Sequence, residues 1–225
     1  MTLCLVTDRR RLVPPGASDR EACRCLVAQA HHAADAGVDL IQVRERDLEA
    51  ASLASLVTAV LDAVRGTPAR VVVNERLDVA VSCGAHGVHL RGDSIPVAAA
   101  RRLAPEAFLI GRSVHTVAEA RAASGADYLV AGTVFRSASK AETHALLGLD
   151  GLTAIVRASL APVLAIGGVT AEHVAALAAT GASGVAAIGL FVRPEGAPAD
   201  PCRASALADV VARARRTFDS VNSHP

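Results

Sequence analysis

Residues 163–189 read VLAIGGVTAEHVAALAATGASGVAAIG, and their pattern decides the fold. A short, wholly apolar run at 163–166 is followed by a Gly-Gly turn, an Ala-rich helical stretch and a second apolar run at 184–188. Short runs that are apolar on every side are typical of strands buried on both faces of a parallel sheet. The segment therefore predicts a strand, helix and strand unit of an α/β protein.

The same unit recurs along the rest of the chain. The sequence predicts eight strands, at residues 3–6, 40–43, 71–73, 87–90, 108–110, 128–131, 163–166 and 184–188. It predicts helices at residues 19–36, 48–64, 77–82, 95–103, 116–124, 149–158, 170–179 and 204–218. Eight such units close a sheet on itself, whereas an open doubly wound sheet would leave two exposed edges. We therefore predict a single (β/α)8 TIM barrel over residues 1–225, with a frayed tail at about 220–225.

Composition and charge exclude several classes of function. Lys and Arg number 23 and Asp and Glu 22, so the net charge of +1 provides no field that would attract nucleic acid. The aromatic content of 2% also offers few rings for base stacking. No apolar run approaches the roughly 18 residues of a membrane span, and no signal-peptide pattern follows the basic residues near the N-terminus. We expect a cytoplasmic protein with no nucleic-acid or membrane partner, and the sequence leaves a homo-oligomer open.

Two arginines follow the second predicted strand. In a (β/α)8 barrel, the residues that bind substrate lie at the carboxyl ends of the strands. Gln42, Arg44 and Arg46 alternate onto one side of the chain there. Guanidinium groups at the barrel mouth suit a small phosphorylated substrate, because their paired N–H donors match phosphate oxygens. The alternative is that the acids Glu45, Asp47 and Glu75 neutralise the arginine pair, and the pattern alone does not distinguish this from phosphate binding.

Two carboxylates follow the third and fourth predicted strands. Glu75 and Asp93 stand on adjacent loops of the predicted barrel. Proteins bind Mg²⁺ through one or two carboxylates together with substrate phosphates, so this pair predicts a Mg²⁺ site. The alternative for Asp93 is to cap the helix predicted from residue 95. The five cysteines contain no C-x-x-C pair, and we expect reduced structural thiols rather than a zinc site.

Polar side chains also follow the fifth and sixth strands. Ser113 and His115 alternate onto one side and are candidate catalytic residues, although a core or capping role is the commoner fate of such a histidine. A long polar loop after strand six carries Ser137, Ser139 and Lys140, whose hydroxyl and ammonium groups suit phosphate. A loop of this length in a compact fold is usually functional or disordered.

Glycine pairs mark the ends of the last two strands. Gly167 and Gly168 follow strand seven, and Ile188 and Gly189 close strand eight. Glycine lets backbone N–H groups approach an anion closely. The loops after strands seven and eight are also the usual phosphate site of such barrels. The sequence therefore predicts a phosphate cradle at these four residues.

Ordered phrases along nearly the whole chain resemble the thiamine phosphate synthase and thiazole tautomerase superfamily. They include QVRER at 42–46, VNER at 73–76, GRSVHT at 111–116, SASK at 137–140, PVLAIGGV at 162–169 and GASGVAAIG at 181–189. The resemblance implies a (β/α)8 barrel. For the synthase it implies joining a hydroxymethylpyrimidine diphosphate to a thiazole phosphate, with Mg²⁺ holding the departing pyrophosphate. For the tautomerase it implies a proton transfer that isomerises a thiazole phosphate carboxylate.

The same resemblance assigns individual positions. Gln42, Arg44 and Asn74 match pyrophosphate-binding residues, and Lys140 matches the lysine of a mobile phosphate-binding loop. The thiazole phosphate cradle is matched by Gly167, Gly168, Ile188 and Gly189.

Several positions depart from the family patterns. Arg46 stands where the synthase has lysine, and Glu75 replaces a metal-binding aspartate. Asp93 comes one residue before the second metal aspartate, at whose place Ser94 stands. Thr133, a substrate-binding candidate, occupies the position of the catalytic histidine of the tautomerase branch.

The loop chemistry favours the synthase branch. Because Ser137, Ser139 and Lys140 keep the pattern of the synthase loop, we predict a thiamine phosphate synthase-like transferase. The alternatives are a tautomerase-like isomerase that uses His115, and a non-catalytic protein that binds thiazole phosphate or thiamine phosphate.

Overall fold

The eight strands form one closed parallel barrel, in which each strand pairs with the next along the chain and the first pairs with the last. The computed structural model of the protein describes residues 1–136, 146–192 and 204–222. This architecture confirms the predicted (β/α)8 TIM barrel.

The strands are β1 (Thr2–Val6), β2 (Leu40–Val43), β3 (Arg70–Asn74), β4 (Gly87–Leu90), β5 (Leu109–Val114), β6 (Tyr128–Gly132), β7 (Val163–Ile166) and β8 (Gly184–Ala187). The helices are α1 (Asp19–Asp35), α2 (Ala50–Ala63), α3 (Leu77–Ser82), α4 (Val97–Leu103), α5 (Val117–Ala122), α6 (Gly148–Ala158), α7 (Val174–Ala179) and α8 (Ala204–Asn222). Two short 3₁₀ helices, η1 (Arg9–Leu12) and η2 (Gly189–Phe191), follow β1 and β8. No helix in the described part of the chain is long and apolar enough to cross a membrane.

Strand side chains build two apolar regions. Alternate residues such as Leu3 and Ile41 pack outward under the helices, while Cys4 and Val72 belong to a second cluster that fills the barrel. Period-two alternation on strands that are apolar throughout produces both regions at once. This packing fixes the carboxyl ends of the strands, where the candidate site lies.

Strand β5 is longer than the sequence predicts. It runs Leu109–Val114 rather than 108–110, so residues expected in a loop are part of the strand. The extension follows from pairing with β6, in which Gly111 to Val114 lie opposite Tyr128 to Ala131. A β-carbon at Gly111 would lie 2.1 Å from a ring carbon of Tyr128. The Tyr128 ring therefore occupies the space that a side chain at position 111 would need.

Several helix ends also differ from the predictions, those of α4, α7 and α8 among them. Helix α4 begins at Val97 rather than at 95, and α7 begins at Val174 rather than at 170. In the second case Thr170 and His173 form a turn instead, in which the backbone N–H of Thr170 donates to His173 Nδ1 at 3.3 Å. Helix α8 continues through Asn222, into the segment predicted to be frayed, and residues 223–225 lie outside the described part.

Candidate active site

Two buried amides lie where β2 and β3 end. Gln42 is 3% exposed and Asn74 is 9% exposed, and Gln42 Nε2 donates to Asn74 Oδ1 at 2.9 Å. A buried amide needs a partner for its polar atoms, and here each amide supplies one for the other. The two predicted substrate-binding residues are therefore brought together at the barrel mouth.

Arg44 and Arg46 follow directly after Gln42. The backbone N–H of Arg44 donates to Thr7 Oγ1 at 2.9 Å, which fixes this turn to the end of β1. Burial of the half-buried Arg44 guanidinium lowers its pKa, and the nearby charge of Arg46 lowers it further. Neither guanidinium forms an ion pair with a carboxylate of the described residues. A half-buried cation of this kind suits an anionic ligand.

Arg9, which the sequence analysis did not single out, holds the acids beside this pair. Its side chain is 1% exposed, and Nη1 lies 2.9 Å from Glu45 Oε2 and 2.6 Å from Asp47 Oδ1. The hydrogen bond from Arg9 lowers the pKa of Asp47 to about 2. Glu45 and Asp47 therefore form ion pairs with Arg9 rather than with Arg44 or Arg46, although the charge of Glu45 still acts on Arg44 and raises its pKa. The basic cluster at residues 9–11, shortly after strand one, is the sequence feature that could have identified Arg9.

The predicted metal ligands lie on adjacent loops that are tied together. Glu75 adopts a left-handed backbone with φ +67°, and its Oε1 accepts from the backbone N–H of Arg91 at 2.6 Å and from the Ser94 hydroxyl. Asp93 is exposed and accepts from Arg91 Nη2 at 2.7 Å. Since Pro96 is the N-cap of α4 and provides no side-chain cap, the predicted capping role of Asp93 is wrong.

The donor chemistry of this pair fits Mg²⁺ only with help from a substrate. Within the described residues, no group of three or more His, Cys, Asp or Glu side chains forms a metal-binding cluster. Mg²⁺ takes one or two carboxylates and keeps waters and phosphate oxygens as its other ligands, which matches two carboxylates on neighbouring loops. A cleft of about 250 Å³ lies beside Glu75, between the segments that follow β2 and β3, and Asp93 is not among its lining residues: Val43, Glu45, Arg46, Leu48, Leu53, Asn74, Glu75, Arg76 and Arg91.

A hydrogen-bonded chain of three side chains crosses the barrel interior. His89 is 2% exposed, and its Nε2 lies 2.9 Å from Ser113 Oγ while its Nδ1 lies 3.2 Å from the Tyr128 hydroxyl. Burial lowers the pKa of His89 to about 3, with a smaller effect from the charge of Arg112. His89 is therefore neutral at physiological pH and orients Ser113. A histidine within the apolar run of β4 was the signal for this role.

His115 lies on the rim rather than in this chain. It is exposed, its Nδ1 lies 2.5 Å from the backbone oxygen of Gly132, and its backbone N–H donates to Glu119 Oε2 at 2.6 Å. Ser113 and His115 have different partners: Ser113 contacts interior His89, and His115 contacts the backbone oxygen of Gly132 at the end of β6.

The glycines after β7 have a packing role that the sequence did not reveal. A β-carbon on Gly167 would lie 2.4 Å from Thr133 Cγ2, and one on Gly168 would lie 2.2 Å from the backbone oxygen of Arg136. Both glycines have positive φ, +101° and +62°. They let the turn after β7 pack against the buried Thr133 and the segment after β6. At the end of β8, a β-carbon on Gly189 would meet no atom closer than Arg11 Nη1 at 3.9 Å.

The predicted cradle and loop residues differ in what the structure describes. Gly167, Gly168, Ile188 and Gly189 follow β7 and β8 at the same end of the barrel as Gln42 and Arg44. Phosphate binding at these four residues stays a prediction. Ser137, Ser139 and Lys140 lie outside the described residues.

Comparisons with known proteins agree with this geometry. A family model described as thiamine monophosphate synthase matches residues 13–191. The thiamine-phosphate synthase of Methanoculleus marisnigri is 44% identical over 165 residues, which cover 72% of this chain and 78% of that protein. The thiamine-phosphate synthase of Roseiflexus castenholzii is 38% identical over 200 residues, which cover 87% and 86%.

A solved structure extends the similarity to three dimensions. The thiamine phosphate pyrophosphorylase from Pyrococcus furiosus matches with a TM-score of 0.77 at 29% identity, covering 98% of this chain and 96% of that one. Because the family model spans most of the barrel and whole proteins align along most of their lengths, this chain belongs to the thiamine monophosphate synthase family.

Proposed function

We propose that this protein is a thiamine phosphate synthase, a transferase that condenses hydroxymethylpyrimidine diphosphate with thiazole phosphate to give thiamine phosphate and pyrophosphate. Its similarity to proteins named thiamine-phosphate synthase supports this assignment. The structural observation that carries it is the Arg44 and Arg46 pair beside the Gln42–Asn74 amides, with the neighbouring acids bound elsewhere.

In this reaction the protein acts mainly by electrostatic stabilisation of the departing diphosphate. The bond from the pyrimidine methylene carbon to the diphosphate oxygen breaks, and its electron pair leaves with the diphosphate. The thiazole nitrogen then donates its lone pair to the methylene carbon to form the new C–N bond. Negative charge therefore grows on the diphosphate, and preorganised cations stabilise such a transition state. Arg44 and Arg46 supply this positive charge. Arginine at position 46, where the family has lysine, preserves the positive charge there.

Interior polar groups orient the pyrimidine. Gln42, Asn74 and Ser113 present amide and hydroxyl groups at the carboxyl ends of β2, β3 and β5, where a flat heterocycle that carries ring nitrogens and an amine needs partners. Neutral His89 holds the Ser113 hydroxyl in place. It does not act as a general acid, because its pKa of about 3 means that the imidazolium form is absent at neutral pH.

The remaining assignments complete the site. Glu75 and Asp93 would hold Mg²⁺, which when bound supplies positive charge to the pyrophosphate group. The glycines after β7 and β8 would hold the phosphate of thiazole phosphate, and Ser137, Ser139 and Lys140 would reach the diphosphate from their loop. His115 lies at the rim, where it is available to a bound substrate.

Turnover with defined substrates tests the proposal. The purified protein is incubated with both substrates, with each alone, and with or without Mg²⁺, and thiamine phosphate is measured by chromatography. We expect product only when both substrates and Mg²⁺ are present. Isomerisation of a thiazole phosphate carboxylate without condensation would assign the tautomerase activity instead. Binding of thiazole phosphate with no turnover would assign a non-catalytic role.

A further inference from the structure

We propose that Arg9 is a positioning residue, which keeps Arg44 and Arg46 available to the diphosphate by binding the two acids interleaved with them. The inference rests on the proposed function and adds to it a residue that touches no substrate. Glu45 lies between the two arginines in sequence and Asp47 follows the second, so the charges alternate in sign along four residues. Asp47 has a second cation in Arg10, at 3.4 Å, whereas Arg9 is the ion-pair partner of Glu45, whose charge also acts on Arg44.

The contacts of Arg9 show that it provides that competing cation. Nη1 donates to Glu45 Oε2 at 2.9 Å and to Asp47 Oδ1 at 2.6 Å, and Nη2 donates to Asp47 Oδ2 at 2.8 Å. The backbone N–H of Arg9 also donates to Glu45, at 3.2 Å to Oε1 and 3.3 Å to Oε2. Both acids therefore bind η1, the 3₁₀ helix that follows β1.

Burial makes this arrangement rigid. The side chains of Arg9 and Glu45 are 1% and 3% exposed, so water cannot replace either partner. A buried charge that loses its partner is strongly destabilised, and Glu45 would then seek another cation. Asp47 is 53% exposed and adds a second contact from the rim.

Thr7 links this ion cluster to the backbone of the arginine pair. Its hydroxyl donates to Glu45 Oε1 at 2.6 Å and accepts from the backbone N–H of Arg44 at 2.9 Å. The position of Glu45 and the path of the chain at Arg44 are thus set by one hydroxyl. Arg9 acts on the arginine pair by binding the counter-charges, while Thr7 fixes the turn that carries Arg44.

A charge-rescue experiment tests the proposal. In Arg9→Gln, the freed acids should neutralise Arg44 and Arg46, so KM for the pyrimidine diphosphate should rise by tenfold or more. KM for thiazole phosphate should stay within twofold of the wild type, because its phosphate is bound at the far loops. Removing the acids as well, in Arg9→Gln/Glu45→Gln/Asp47→Asn, should restore KM for the diphosphate to within about threefold. A purely structural role of Arg9 predicts no such rescue.

Calorimetric titration with inorganic pyrophosphate and Mg²⁺ provides a readout that does not require turnover. We expect the affinity for pyrophosphate to fall tenfold in Arg9→Gln and to recover in the triple variant. The matched control is Arg10→Gln, because Arg10 is 52% exposed and its loss leaves Asp47 bound to Arg9. It should bind pyrophosphate as the wild type does.

The outcomes separate this inference from the proposed function. If the protein makes no thiamine phosphate, but pyrophosphate affinity falls in Arg9→Gln and recovers in the triple variant, the role of Arg9 stands and the synthase assignment is wrong. An active Arg9→Gln enzyme with unchanged KM overturns the role of Arg9 alone. If Arg9→Gln fails to fold, the triple variant decides, since wild-type pyrophosphate affinity there supports the proposal and a tenfold loss overturns it.

Discussion

At the scale of single residues, Arg44 is the cation best placed for the chemistry. Burial lowers its pKa, yet a guanidinium stays protonated at neutral pH, so Arg44 offers a half-buried positive charge to the proposed diphosphate. The cost of that desolvation is recovered when an anion binds beside it. Arg44 should therefore contribute more to the transition state, in which charge leaves with the diphosphate, than to the initial complex.

We predict that Arg44→Gln lowers kcat/KM by roughly 100-fold or more, consistent with about 2.7 kcal/mol for one lost electrostatic partner. The control is Arg65→Gln. Arg65 is 80% exposed, pairs with Asp62 of α2, and follows that helix at the opposite end of the barrel. Steady-state kinetics measure both variants. Equal activity of Arg44→Gln and the wild type would remove Arg44 from the site.

Gly168 and Gly189 should respond differently to the same small substitution. Gly168→Ala places a side chain at φ +62° and 2.2 Å from the backbone oxygen of Arg136, so it should destabilise the fold by about 1–3 kcal/mol. Gly189→Ala meets open space and should cost much less. Urea denaturation compares the two, and equal destabilisation would contradict the packing role of Gly168. Phosphate binding at the cradle is therefore best tested at Gly189, where packing does not interfere.

At the scale of elements, β5 holds the loop that carries Asp93. Arg112 Nη2 donates to the backbone oxygen of Gly92 at 2.7 Å, and Nη1 donates to that of Ile95 at 2.7 Å. Hydrogen bonds from a charged donor are worth about 1.5–3 kcal/mol each. The loop between β4 and α4 is thus anchored from the neighbouring strand.

We predict that Arg112→Met raises the hydrogen-exchange rates of the backbone amides of Arg91 and Ser94 by about tenfold or more, because about 1.4 kcal/mol of local stability corresponds to that factor. Native-state exchange followed by mass spectrometry measures this effect. Arg121→Met provides the control, since Arg121 is an exposed residue of α5. Unchanged exchange at residues 91–94 would show that the loop is held by other contacts.

The elements show which structural features a sequence can and cannot reveal. The predicted bounds of β2, β4 and β7 are confirmed, because each is a short, mostly apolar run, in which Gln42 of β2 and His89 of β4 are single polar residues. Strand β5 was cut short because Gly111 and Arg112 break its apolar run. Their partners are the Tyr128 ring and the carbonyl groups of the preceding loop, and local patterns carry no information about such distant contacts.

At the scale of the whole molecule, His89 couples barrel stability to pH. Its pKa is about 3 in the folded protein, against an ordinary value of 6.5. Between these two pH values, His89 is protonated in the unfolded chain but neutral in the folded protein. The free energy of unfolding should therefore fall as the pH falls from about 6.5 to 3, by up to about 1.4 kcal/mol per pH unit.

His89→Gln should remove that part of the pH dependence, as measured by urea denaturation at a series of pH values. Tyr128→Phe is the control, because it removes a hydrogen-bond partner of His89 but keeps the burial that shifts its pKa. A wild-type pH dependence in His89→Gln would assign the acid sensitivity to other groups.

The candidate site as a whole was predictable in position but not in its pairings. Because substrates bind at the carboxyl ends of barrel strands, the strand order alone placed Gln42, Asn74 and Glu75 at one mouth. The partner of Glu45 was not predictable, since Arg9 is 36 residues away and period-two alternation says nothing about which cation a side chain meets. The role of His89 was missed for the same reason, because both of its partners lie on other strands.

The central claim is that this barrel mouth joins the two substrates, and a ³¹P NMR time course with both substrates and Mg²⁺ tests it most directly. We predict that the diphosphate signals of the pyrimidine substrate disappear while pyrophosphate and thiamine phosphate appear in equal amounts. Omission of either substrate should stop product formation. Diphosphate signals that persist with folded protein and both substrates present would contradict the account.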